Sequence, residues 1–80
     1  MHELGILKHI GTIVEQVADK NLIKAVKHIT LEVGSQSGVV PQYMKKLFPA
    51  AADMFPVLKN TELRISIVCG NGLVIKEIGY

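Results

Sequence analysis

The hydrophobic period switches from helical to two within the first 34 residues, and that switch constrains the fold more than any other feature of the chain. From Glu3 to about Asp19, Ile6, Leu7, Ile10, Ile13, Val14 and Val17 recur at helical spacing and gather on one stripe. Lys8, His9, Thr12, Glu15, Gln16 and Asp19 fall opposite. Gly5 and Gly11 each cost about 1 kcal/mol relative to Ala in a helix interior, yet the stripe is continuous and predicts an amphipathic helix. From about Ala25 to Gly34 the pattern alternates: Ile29, Leu31 and Val33 face one way, His28, Thr30 and Glu32 the other. That is a strand with one buried face.

Gly34-Ser35-Gln36-Ser37-Gly38 then reads as a loop. Pro41 can open a second helix, because its missing N–H costs nothing at the first helical position. Met44, Leu47, Phe48 and Ala51 supply the buried stripe of that helix, and Pro49 should kink it or split it into two short pieces. Pro56 marks where the chain leaves it. Leu63, Ile65 and Ile67 alternate with Arg64, Ser66 and Val68 in a second strand, and Leu73 to Ile78 forms a third. Asn71-Gly72 between two apolar runs signals an antiparallel hairpin, since a type I′ turn needs positive φ at both central positions. A helix between the first strand and that hairpin implies a right-handed crossover and one parallel pairing. The expected fold is a single α/β (α+β) domain over residues 1–80 in the order α-β-α-β-β. It has a three-stranded mixed sheet, a C-terminal hairpin and two helices on one face.

Eighty residues barely sustain one core, and here 49% hydrophobic residues supply it. Several function classes fall away. The net charge is only +2, the longest basic run is Lys45-Lys46, and two Tyr and two Phe offer few stacking surfaces, which argues against nucleic acid. No apolar run approaches a membrane span. The start of the chain does not read as a signal peptide, so a cytoplasmic protein is expected. The single cysteine, Cys69, excludes an internal disulfide framework and a multi-cysteine zinc site within the chain.

Met1-His2-Glu3 carries the chemistry. The terminal amine, the deprotonated His2 amide nitrogen and the His2 ring nitrogen can close two fused chelate rings in one plane. A fourth donor from Glu3, backbone or carboxylate, completes a square. Square-planar nitrogen and oxygen coordination suits Ni(II) or Cu(II) and suits Zn or Ca poorly. The bulk of His2 should also protect Met1 from excision, because the removing enzyme prefers a small second residue. The bland alternative is a solvated terminus in which Glu3 merely complements a helix dipole.

Several segments in order resemble the HypA/HybF family of nickel metallochaperones for hydrogenase and urease maturation. Met1-His2-Glu3-Leu4 matches the family's opening motif, and Leu31-Glu32-Val33-Gly34 with Ser37-Gly38-Val39-Val40-Pro41 matches its strand-to-helix junction. Glu62-Leu63-Arg64-Ile65 and Leu73-Val74-Ile75-Lys76-Glu77-Ile78 look like its last two strands. Family members carry a zinc ribbon with two cysteine pairs between those strands. Here Gly70-Asn71-Gly72 stands in its place, with Cys69 where the ribbon would begin, so no structural zinc is expected. The resemblance implies a nickel-binding accessory protein, with Met1, His2 and Glu3 as metal ligands. Its implied partner is a maturation GTPase chaperone or the apo-enzyme of a nickel enzyme such as [NiFe]-hydrogenase or urease. The rival is a metal-free interaction or regulatory module on the same fold.

The remaining candidates read as structural. His9 lies two helical turns, about 10.5 Å, beyond His2, too far to share one metal without unwinding the helix start. His28 belongs to the polar side of its strand. Cys69 continues the register of Leu63, Ile65 and Ile67 and is expected on the apolar face as a small hydrophobe. No nucleophilic triad, paired-carboxylate pocket or phosphate-binding loop is present, so enzyme activity is not expected. Two open sheet edges on a thin core predispose the domain to homodimerise.

Overall fold

The computed structural model describes residues 3–80. Helix α1 spans Glu3–Lys20, strand β1 His28–Gly34, helix α2 Pro41–Ala52, a single 3₁₀ turn Pro56–Leu58, strand β2 Glu62–Val68 and strand β3 Leu73–Gly79. Both helices contribute to one core: Leu7, Ile10 and Val14 from α1 and Met44, Phe48 and Ala51 from α2 meet Ile29, Leu31 and Val33 of β1. The helices therefore cover one face of the sheet and leave the other open. The mixed α/β architecture and its element order agree with the sequence.

Strand order corrects the sequence reading. The sheet runs β2-β1-β3, with β1 parallel to β2 and antiparallel to β3. The expected C-terminal hairpin does not form, because β1 lies between the two strands it would have paired. Ile29, Leu31 and Val33 are 0–1% exposed, and such a strand needs neighbours on both sides. The chain supplies them by passing residues 69–72 across the end of β1. Four residues readily span two interstrand spacings of about 4.8 Å each. The crossing is stitched by backbone bonds: Gly34 N–H donates to Gly72 O (2.7 Å), Ser35 N–H to Val68 O (2.7 Å) and Gln36 N–H to Gly70 O (2.8 Å). A side chain at position 34 would strike the Gly70 carbonyl. Asn-Gly signals a turn but not which strands the turn joins.

The register of β3 contains a bulge. Thr30 faces Glu77 while Leu31 faces Ile75, which leaves Lys76 as the extra residue. Ile75 and Ile78, three apart, thereby both pack against the core.

Other expectations shift in detail. The buried stripe of α1 is Glu3, Leu7, Ile10, Gly11, Val14 and Ala18, rotated from the one expected, and Val17 is 36% exposed. The rotation comes from Phe55, whose ring lies where a Gly11 side chain would stand. Helix α2 is not split at Pro49. The proline is exposed, only three residues remain after it, and the Asp53 N–H closes onto the Pro49 carbonyl at 3.1 Å. Strand β1 begins at His28 rather than Ala25. Cys69 is exposed rather than buried. It lies just past the end of β2, along which burial fades: Leu63 is 7% exposed and Ile67 56%.

Candidate metal centre

Of the three proposed ligands, Met1 and His2 lie outside the described residues, and Glu3 opens α1. The Glu3 side chain belongs to the interior: Glu3 is 7% exposed, the one buried charged residue among those described. Its Oε2 accepts a hydrogen bond from the Val40 N–H at 3.2 Å.

Local sequence dictates why that amide is available. Pro41 takes the first helical position of α2 and pushes the preceding residue out of the helical region. Val40 accordingly adopts φ −100°, ψ 109°, and no side chain of its own segment caps the helix. Ser37 Oγ accepts the Val39 N–H at 3.3 Å and shapes the approach. The Val40 carbonyl begins the helix by accepting from Tyr43 and Met44, both at 3.1 Å. Its N–H is left pointing outward, and the Glu3 carboxylate meets it. One negative charge thus sits in the first turn of α1 and beside the start of α2, two places where helix dipoles favour it.

The remaining donors are dispersed. His9 is exposed on α1. His28 Nε2 lies 2.9 Å from Glu77 Oε1, and its ring covers the backbone of Gly79. Cys69 stands exposed at the crossing between β2 and β3. Among the described residues no group of three or more His, Cys, Asp or Glu side chains is gathered for a metal. What the structure places at the start of the described residues is Glu3 as an anchor for α1, its carboxylate bonded to Val40. Sequence reasoning missed that anchor. The signal for it was an acid opening a helix in a chain that also places a proline at the first position of the next helix.

A strip of apolar surface adjoins this junction. Val40, Pro41, Gln42 and Lys45 of the α2 start and Ile65 and Ile67 of β2 line an open groove of about 410 Å³.

The family described as hydrogenase/urease nickel incorporation, metallochaperone, HypA matches residues 1–78. A hydrogenase maturation factor HypA from Trichodesmium erythraeum (strain IMS101) is 38% identical over 72 residues, covering 90% of this chain and 60% of the relative. The chain thus spans about three fifths of that relative's length. The solution structure of the nickel metallochaperone HypA from Helicobacter pylori superposes with a TM-score of 0.78 at 17% identity, covering 96% of this chain and 72% of the other. A second HypA solution structure gives 0.72 at 18% identity, with 96% and 71% covered. At these identities the two structures speak for the fold, and the family match over nearly every residue says more: this chain belongs to the HypA family.

Proposed function

We propose that the chain is a nickel-carrying accessory protein that takes up Ni(II) as cargo at Met1, His2 and Glu3 and passes it to a partner in the maturation of a nickel enzyme. The observation that carries this reading is the burial of Glu3 against Val40. It fixes the first turn of α1, so the donors before it start from a rigid point rather than a frayed helix end. Because the carboxylate is engaged with Val40, Glu3 serves through its backbone nitrogen. Together with the terminal amine, the His2 amide nitrogen and the His2 imidazole, that nitrogen makes a flat four-donor set suited to Ni(II).

The ligands must shed protons to bind. The ordinary pKa of an α-amine lies near about 7.7–8.0 and that of His near about 6.5, so affinity falls as pH drops through this range. Copper binds such donors more tightly by the Irving–Williams order, and discrimination in the cell rests on availability and on the partner. That partner is a maturation GTPase chaperone or the apo-enzyme itself, with [NiFe]-hydrogenase and urease as the client classes. Transfer is associative: the receiving ligands displace one donor before the others leave. With one cysteine in the chain, a structural zinc plays no part. The protein works in the cytoplasm, as a carrier rather than a catalyst.

Nickel titration of untagged protein tests this. A yellow-orange, diamagnetic complex is expected, abolished by His2→Ala or by an N-terminal extension and weakened below about pH 6.5. Undiminished binding by both altered proteins would place the site elsewhere. No binding by the parent would leave a metal-free interaction module.

A further inference from the structure

The two outer strands of the sheet are not equally guarded. A free strand edge invites pairing with another chain, and proteins usually blunt it with bulges, lysines or prolines. Strand β3 is blunted: its register breaks at Lys76, which projects from the bulge beside Glu77. Strand β2 is not. It keeps a one-to-one register over all seven residues, contains no proline or lysine, and pairs on one side only. Its apolar side emerges from under α2, with Ile67 56% exposed and Ile65 half-buried, and forms one wall of the groove completed by Val40, Pro41 and Lys45. Val40 is also the residue bonded to Glu3, so the groove begins where the candidate metal centre ends.

We infer that this groove and the free edge of β2 receive an extended segment of a partner protein, which adds a fourth strand to the sheet. The segment presents apolar residues to Ile65 and Ile67 and an acidic residue to Lys45. Strand addition supplies main-chain hydrogen bonds for affinity, and alternate side chains in pockets supply specificity. The charge requirement follows from the lining: Lys45 is its one charged residue, and Arg64 on the same strand is already paired with Glu62 at 2.9 Å. A second copy of this chain fits the edge less well. The acid that β2 itself could bring to Lys45 is Glu62, and it is already paired with Arg64 at 2.9 Å. As a docking site for delivery, the surface rests on the nickel reading, but its occupancy is measured without nickel.

The test uses metal-free protein and a capped eight-residue peptide. The peptide carries valines on one strand face, an aspartate ending that face, and threonines on the other. Backbone amide shifts should move along β2 and residues 40–45. Ile67→Asp and Lys45→Glu, both at exposed positions, should each weaken binding about tenfold while leaving the rest of the amide spectrum in place. A peptide with lysine for aspartate should reverse the preference, binding Lys45→Glu better than the parent. Shifts absent from β2 at millimolar peptide, or binding indifferent to both substitutions, overturn the proposal. So does light scattering that shows a dimer dissolved by Ile67→Asp, because the occupant is then a second copy. Loss of nickel binding in the parent leaves the peptide result standing, so the two readings fail separately.

Discussion

Replacing Glu3 by Ala removes the acceptor for the Val40 N–H and the charge shared by two helix starts. A hydrogen bond to a charged group contributes about 1.5–3 kcal/mol net, and a charge in a helix's first turn about 0.3–1 kcal/mol. Two effects reduce the sum. Val40 is 39% exposed, so water can reach its orphaned N–H, and deleting a carboxylate that is 7% exposed also deletes its desolvation cost. The net expectation is about 1–2 kcal/mol of destabilisation, or roughly 4–16 °C in Tm for a domain this small. Glu3→Gln keeps an acceptor of the same shape and loses only the charge, so its cost should be about 0.5–1 kcal/mol.

Thermal unfolding by circular dichroism at neutral pH gives the order parent, then Gln, then Ala. A melting point for Glu3→Ala within about 2 °C of the parent, or one no lower than that of Glu3→Gln, would refute the anchoring role. Nickel binding divides the two functions of the residue. Because the backbone nitrogen is the proposed ligand, Glu3→Gln should bind nickel as the parent does, and its failure would make the carboxylate a ligand instead.

Two further substitutions probe the scaffold. Gly11→Ala gains about 1 kcal/mol of helix propensity, but its methyl would overlap the Phe55 ring edge; overpacking of this kind costs about 1–3 kcal/mol. It should destabilise the parent by chemical denaturation and stabilise the Phe55→Ala background; the same sign in both would sink the argument. Leu22 holds φ 57° just after α1 and is 89% exposed, in a helix end closed by the Ile23 N–H to the Ala18 carbonyl at 2.9 Å. Leu22→Gly should raise stability by about 0.5–1 kcal/mol, since glycine reaches the left-handed region without penalty. A neutral or lowered denaturation midpoint would show that this conformation costs nothing.

What the sequence made legible was local. The alternation of Ile29, Leu31 and Val33 and the stripe through Leu7, Ile10 and Val14 report their own burial, because each pattern states a face directly. Pro41 announced the start of α2 for an equally local reason. What stayed hidden depends on residues far apart in the chain. Asn71-Gly72 marks a turn, but whether β1 slips between the flanking strands is decided by the need of β1 for two neighbours. Cys69 continues the apolar alternation in sequence, yet it lies just past the end of β2 and is exposed. Gly11 looks like a flaw in a helix until Phe55 is packed against it. The position of Glu3 was ambiguous for the same reason, because its partner is 37 residues away.

That separation gives the anchor its meaning. The two segments that carry the family resemblance, Met1 to Leu4 and Ser37 to Pro41, have no sequence pattern in common; Glu3 opens α1 and Pro41 opens α2. They are joined through the Val40 N–H, which donates to the Glu3 carboxylate. A terminus that served only as a solvated helix end would gain its dipole benefit with Glu3 exposed, as most first-turn acids are, and would have no reason to bear the cost of burying a carboxylate. The cost is borne where the chain needs the beginning of α1 held in one place. The chelate proposed above, built largely from backbone nitrogens, is the kind of site that needs it.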